Sequence, residues 1–331
     1  MSRWRTRSLS IGKPGFRCPP PPKASSTLDF PTMSESSSRG ASEEDIHFIE
    51  EICRDIALKN RSAVLPYAAL ARALGDALII HRVSKDDGRT VALAAGIDRG
   101  RELDLFLVAV AFSQRRSGIA GRLLEHLIRE HMGSGGGRRM IANCWPGSGG
   151  GPGALLSAGF CTAPGKVRWT RDRLDPVPAA PLGATWIHLG SEPLDRRARL
   201  LGGALAAWPG DADPGPMLAA LSVAPSGGAW VALVDDEVKA VWAGTLTGDA
   251  YMVLVAYERE MARGTCLADG FNHVLDSAGK LGAKRIIAES SIPTSRVAPV
   301  LTELGFRSIE AASGFLAGTP GHAYKGNAFA L

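Results

Sequence analysis

The stretch that decides the fold is Val110-Ala111-Phe112-Ser113-Gln114-Arg115-Arg116-Ser117-Gly118-Ile119-Ala120-Gly121-Arg122-Leu123-Leu124. An apolar run reading as a strand, Leu103–Ala111, enters a turn built from small residues, and an amphipathic helix leaves it. That helix is expected over about Gly118–Met132, with Ile119, Leu123, Leu124, Leu127 and Ile128 on one side. Small residues let a ligand approach the backbone. The free N–H groups and dipole of a first helical turn favour an anion, and Arg115, Arg116 and Arg122 add positive charge. The stretch therefore reads as a site for a phosphate-bearing ligand. It is not a Walker A loop, because no Gly-Lys-Ser/Thr follows. It is not a dinucleotide fingerprint, because Gly-x-Gly-x-x-Gly is absent and the preceding strands read as an antiparallel meander.

Working outward, strands are expected at Ala77–Val83 and Thr90–Ile97, separated by Asp86-Asp87-Gly88. Before them, Ser42-Glu43-Glu44-Asp45 opens a helix with a capping serine and acids in its first turn, and a second helix is expected over Tyr67–Leu74. After the motif helix come Gly133–Gly137, a strand Arg139–Cys144, a glycine-rich loop Gly147–Gly153 suited to flexing over a site, and a short helix ending at Ala158-Gly159-Phe160.

The second half repeats this order. A helix is expected near Leu194–Ala207, strands at Trp230–Val234, Val238–Gly244 and Ala250–Ala256, a helix near Thr265–Leu281, a strand Arg285–Ser290, and a helix ending at Leu304-Gly305-Phe306. The repetition implies an internal duplication, with Val108–Phe112 aligned on Val253–Tyr257. The expected division is a basic, Pro- and Ser-rich disordered leader 1–40, a first unit 41–175, a linker 176–182, a second unit 183–318 and a tail 319–331. Met33, at the change of composition, is read as a possible initiator.

The chain has 331 residues, 45% apolar and 21% charged, and a formal net charge of +5. Six of the 38 basic residues and one of the 33 acids fall in 1–32, so the remainder carries 32 of each. A neutral body argues against a nucleic-acid groove. Five cysteines without a C-x-x-C pair suggest reduced thiols and a cytosolic protein. His126 and His131 are not at i,i+4, so no metal is expected. No apolar run approaches the ~20 residues of a membrane span.

The motif Arg115-Arg116-Ser117-Gly118-Ile119-Ala120, with the terminal Gly159-Phe160 and the strand–helix–strand–helix order around it, resembles the GNAT (GCN5-related N-acetyltransferase) superfamily over residues 76–175. The resemblance implies an α/β chain of α+β type, two tandem GNAT-like folds, each a mixed, mainly antiparallel sheet flanked by helices. It implies a sheet splayed between Leu103–Ala111 and Arg139–Cys144. Acetyl-CoA or another acyl-CoA would enter there, its pantetheine along Val108 and Val110 and its pyrophosphate on Arg115, Arg116, Ser117, Gly118, Ile119, Ala120, Gly121 and Arg122.

The activity implied is acyl-CoA-dependent N-acylation, with acetyl as the expected group and a small-molecule amine as acceptor. The alternatives are an aminoacyl-tRNA-dependent transferase resembling the Fem family and a non-catalytic acyl-CoA-binding protein. Asp104, six residues before Val110 and expected on its strand face, matches the family's general base, with Glu102 and His81 as weaker rivals. Cys144 ends the strand beside the splay, within reach of a thioester. The tyrosine that often serves as acid is replaced by Leu155, and in the second unit by Leu301. That unit, where Cys266 stands for the motif glycine and Asp249 for Asp104, is read as degenerate and as structural or substrate-shaping.

Overall fold

The computed structural model describes residues 33–60, 67–85, 87–133, 138–145, 151–178, 184–208, 213–258, 265–291 and 297–318. The expected leader up to residue 32, the tail, most of the loop before Gly151 and part of the linker lie outside these residues.

In chain order the first half contains β1 (Met33–Arg39), α1 (Glu43–Asn60), α2 (Tyr67–Leu74), β2 (Leu78–Lys85), β3 (Thr90–Asp98), β4 (Glu102–Val110), α3 (Ile119–Gly133), β5 (Arg139–Cys144), α4 (Gly151–Ser157), β6 (Cys161–Ala163) and β7 (Lys166–Arg171). The second contains β8 (Thr185–His188), α5 (Leu194–Ala207), α6 (Gly215–Val223), β9 (Gly227–Val234), β10 (Glu237–Thr247), β11 (Ala250–Glu258), α7 (Thr265–Lys280), β12 (Arg285–Ser291), α8 (Val297–Glu303), β13 (Arg307–Ala311) and β14 (Ser313–Gly318).

These strands form two seven-stranded sheets, β1-β2-β3-β4-β5-β14-β6 and β8-β9-β10-β11-β12-β7-β13. Written in this way the two orders correspond strand for strand, and in each only the fourth and fifth strands are parallel. Helices α3 and α4 pack on one face of the first sheet around Leu103, Leu105, Leu123, Leu124, Leu127 and Met140. On its other face, α1 and α2 share a continuous apolar core with α5, α6 and the second sheet, through Ile49, Leu74, Leu93, Leu218, Val231 and Val241.

Three expectations need correction. The leader was expected to be disordered to residue 40, yet Met33–Arg39 is a strand paired antiparallel with β2. It has almost no apolar side chains. The ladder and one polar face hold it: Glu35, Ser37 and Arg39 meet His126, Glu130 and Asp98 respectively.

The linker does not divide the sheets. β7, before the linker, lies in the second sheet between β12 and β13, and β14, at the end of the described chain, lies in the first between β5 and β6. The two connections cross where Pro164-Gly165 meets Ala312–Gly314. A Cβ on Gly165 would sit 2.0 Å from the Ala312 carbonyl oxygen, and one on Gly314 would sit 2.3 Å from that of Pro164. Only glycine allows two backbones to pass so closely.

Third, Cys161 is disulfide-bonded, against the expectation of reduced thiols throughout, whereas Cys53 and Cys144 remain thiols.

Candidate functional site

The register of β4 sets the site. Ala95 pairs with Leu107 and Gly96 with Leu105, so Phe106 is an extra residue, a β-bulge. The bulge reverses the alternation of side chains beyond it. Asp104 and Phe106 lie on the α1/α2 side, while Val110 packs on the α3 side. Asp104 therefore does not share a face with Val108 and Val110, contrary to the uninterrupted alternation assumed from sequence.

The bulge also ends the pairing with β5, which runs only from Glu102–Leu105 against Arg139–Ala142. Past this point the strands diverge, and β5 is occupied on its far side by β14. Residues 106–110 of β4 have no described strand partner on the β5 side, and Val108 is 37% exposed. This is a splay with one free backbone edge.

At the end of that edge lies the motif turn. Arg116 (φ +66°) and Gly118 (φ +80°) both have left-handed backbones, the kind of turn that gathers successive N–H groups into an anion-binding concavity. The first helical bond of α3 runs from the Arg122 N–H to the Gly118 carbonyl, so the preceding N–H groups of the first turn lack helical acceptors. A Cβ on Gly118 would meet nothing within 4 Å. Arg115 bonds the Val110 carbonyl at 3.2 Å and lies over the exposed Phe112 ring. Ser117 donates to the Gln114 carbonyl, which closes the turn. Ile119 is buried and anchors the helix, leaving Ala120, Gly121 and Arg122 partly accessible beside the open space.

Cys144 is half-buried and packs toward the α3 side, across the sheet from Asp104. The two proposed catalytic residues are thus not brought together. Asp104 is buried, with Lys166 at 2.7 Å and Arg99 at 3.4 Å on one carboxylate oxygen. Burial alone would raise its pKa, but the two cations outweigh burial and hold it below the ordinary value. A carboxylate so stabilised is a weak base, and its geometry is that of a tie between β4 and the first residue of the crossing strand β7.

Glu102 is likewise paired with Arg139 at 2.7 Å, and His81 lies on the α3 side. Asp104→Asn should leave Lys166 and Arg99 under-compensated and cost about 3–5 kcal/mol of stability, read by denaturant unfolding. The wild-type contribution is fully present above the unfolded carboxylate value of about 3.9 and is lost as pH falls through the depressed folded value.

Sequence reading missed a polar group on the opposite lip of the splay. Tyr67 of α2 packs on Phe106 with ring centroids 5.8 Å apart. Arg168 of β7 stacks on Trp145, just past β5, at 3.8 Å, and its charge acts on the Tyr67 hydroxyl. Its guanidinium is bracketed by Glu289 of β12, at 2.8 Å, and Glu310 of β13. Burial pushes the Tyr67 phenol up to about 12, so it stays neutral. The strand exchange alone brings these residues together; only Tyr67's aromatic ring at a helix start offered a signal.

The second unit retains the bulge: Ala243 pairs with Val255 and Gly244 with Val253, leaving Leu254 extra. Structurally, Leu254 matches Phe106 and Met252 matches Asp104. The repeat alignment on Val253–Tyr257 was thus shifted by three residues, and Asp249 is not the counterpart of Asp104. Asp249 is an exposed partner of Arg285.

Every residue of β11 is buried. Trp208 packs edge-on against Tyr257 at 4.7 Å, and the Glu258 carboxylate accepts the Leu267 N–H of α7 at 3.3 Å. The helix start is met by the chain's own anion. Glu258→Ala should remove that cap and cost about 1–2 kcal/mol, read as a lower thermal midpoint. Leu155 and Leu301, at the positions of the expected tyrosine, are core residues at 3% and 1% exposure. The loop 259–264 lies outside the described residues.

No family model matches the sequence, and no curated protein matches it. Solved structures do match in fold. A tandem GNAT protein from the clavulanic acid biosynthesis pathway superposes with a TM-score of 0.57 at 16% identity, covering 88% of this chain and 100% of that one. An acetyltransferase described as putative from Pyrococcus horikoshii gives 0.56 at 13%, covering 90% and 93%. A GCN5-related N-acetyltransferase from Sphaerobacter thermophilus gives 0.53 at 15%, covering 86% and 95%.

Proposed function

We propose, for a chain that folds as two tandem GNAT units, that it transfers an acyl group, acetyl being the expected one, from a CoA thioester to the amine of a small molecule. The observation that carries this reading is the coincidence of two features in the first unit. The free edge of β4 at the splay leads directly into the open, left-handed turn at the start of α3. An extended pantetheine matches the edge and a pyrophosphate matches the turn.

In the transfer the amine, having given its ammonium proton to solvent, attacks the thioester carbonyl through its neutral nitrogen. The C–S bond breaks, and the proton then lost by the nitrogen passes through solvent to the leaving thiolate, giving the free CoA thiol. Asp104 is a positioning residue in this scheme. The acceptor lies against Tyr67, Phe106 and Arg168, where Glu289 and Glu310 outnumber the one guanidinium and favour a cationic amine. The second unit supplies β12 and β13 to that surface, which makes it substrate-shaping.

The test is acyl-CoA-dependent release of free thiol across a panel of amines. Glu289→Gln should raise KM for the amine several-fold and leave acyl-CoA binding unchanged. No thermal protection by any acyl-CoA would overturn the reading. A second reading, acyl-CoA binding without turnover, is favoured by the two leucines at the acid position; protection without thiol release would select it. The tRNA-dependent reading is weakened by Arg139, whose charge is engaged by Glu102. Among the described residues no helix is long and apolar enough to cross a membrane.

A further inference from the structure

We propose that His81, His126 and Glu130 form a binding site for a zinc-type divalent transition-metal ion, clamped between β1, β2 and α3. The site lies away from the splay, and the inference is independent of any acyl-CoA chemistry.

His81 Nδ1 lies 3.3 Å from Glu130 Oε2, and His126 Nε2 lies 3.4 Å from the same oxygen. All three candidate ligand atoms fall within 4.8 Å of one another. Zinc bonds of about 2.0–2.1 Å in tetrahedral geometry place neighbouring ligand atoms about 3.3 Å apart, so two of the spacings already match the edges of such a shell. His81 is 1% exposed, and its Nδ1 has no hydrogen-bond partner. Such an atom is costly to bury unless something accepts its lone pair or its proton.

The remaining polar atoms of the three residues are engaged in the way a metal ligand requires. His81 Nε2 pairs with His131 Nε2 at 3.2 Å, and His126 Nδ1 pairs with Glu35 Oε2 at 3.0 Å. If each ring donates its proton through that far nitrogen, the near nitrogen is left as a lone pair aimed at the shared site. A carboxylate on the outer nitrogen of a ligating histidine is the usual orienting contact in zinc sites.

Glu130 Oε1 accepts from Ser37 Oγ at 2.9 Å, which leaves Oε2 for the ion. Glu35 is itself approached by Arg122 at 3.7 Å. Two carboxylates and one guanidinium leave net negative charge around the position. His126 and Glu130 are 30% and 44% exposed in their side chains, so an ion has a path in from solvent. The i,i+4 pair His126/Glu130 on α3 is visible in the sequence, but its third member comes from β2 and its supports from β1.

The experiment uses the full chain without a polyhistidine tag, stripped with chelator and titrated with Zn2+ and Co2+. The expected result is one ion per chain, a visible four-coordinate Co2+ spectrum, and a thermal midpoint raised by Zn2+. His126→Ala and Glu130→Gln should each weaken binding tenfold or more, Glu35→Gln about tenfold, and the exposed His47→Ala should change nothing. The variants are partly exposed positions, and their metal-free melting checks that they fold. Binding well below one ion per chain, or affinity unchanged in both His126→Ala and Glu130→Gln, would overturn the proposal.

Discussion

A chain that stops after Ala312 is expected to lose acyl-CoA protection although every residue of the motif turn remains. β14 fills the gap between β5 and β6, pairing with six residues of one and three of the other. Its Phe315 and Ala317 are 2% and 5% exposed in the core beneath α3. A buried phenylalanine contributes about 1.5–3 kcal/mol, and the loss of a central strand adds unpaired edges on both neighbours. Against a typical domain stability of about 5–15 kcal/mol, the sum takes most of what holds the first sheet. Thermal unfolding followed by circular dichroism should shift down by more than about 10 °C, with the protection by acyl-CoA gone.

A gentler variant makes the same point in the full-length chain. Gly314→Val places a side chain against the Pro164 backbone at the crossing and should lower the midpoint without removing any residue. A truncated chain with an unchanged midpoint and intact protection would mean that β14 is dispensable to the first unit.

The second large effect concerns the turn. Gly118→Trp should abolish acyl-CoA protection while leaving the fold in place. The substitution fills the open space above the helix start and forces a bulky residue to φ +80°, a conformation costing about 1–2 kcal/mol for a side-chain-bearing residue. At a hundredfold excess over Kd, the wild type should gain about 2.7 kcal/mol from the ligand, a rise of several degrees that the variant lacks. Arg115→Ala should reduce the gain, since an exposed guanidinium contributes charge but not the cradle itself. Equal protection of wild type and Gly118→Trp would place the ligand elsewhere.

The central elements were legible in the sequence because each buries a periodic apolar face: β3, β4, α3 and β5 all lie within two residues of their expected bounds. The motif turn was legible because Ser117, Gly118, Ala120 and Gly121 cluster where a strand becomes a helix. What stayed hidden depends on partners far away along the chain. β1 reads as a polar serine tract because its stability comes from ladder bonds and from Glu35, Ser37 and Arg39, not from burial.

The bulge at Phe106 leaves no compositional mark, yet it reverses the face on which Asp104 was placed and shifts the repeat alignment. Asp104 itself has the residue type of a base; only the structure reveals Lys166 and Arg99 beside it, which hold its carboxylate below the ordinary pKa. The polar group around Arg168 could not be assembled from sequence at all, because it requires β7 to leave the sheet of its own unit.

That exchange also governs the order in which the molecule can be completed during synthesis. β5 emerges from the ribosome well before its neighbour β14, with nearly the whole second unit between them. The nascent first unit must hold an unfilled sheet and an exposed core face for as long as that takes, a state prone to pairing with other chains. Its closing step is a long-range contact of the slow-forming kind. The chain thus gains a surface built jointly by both units at the cost of having neither half finished until both are.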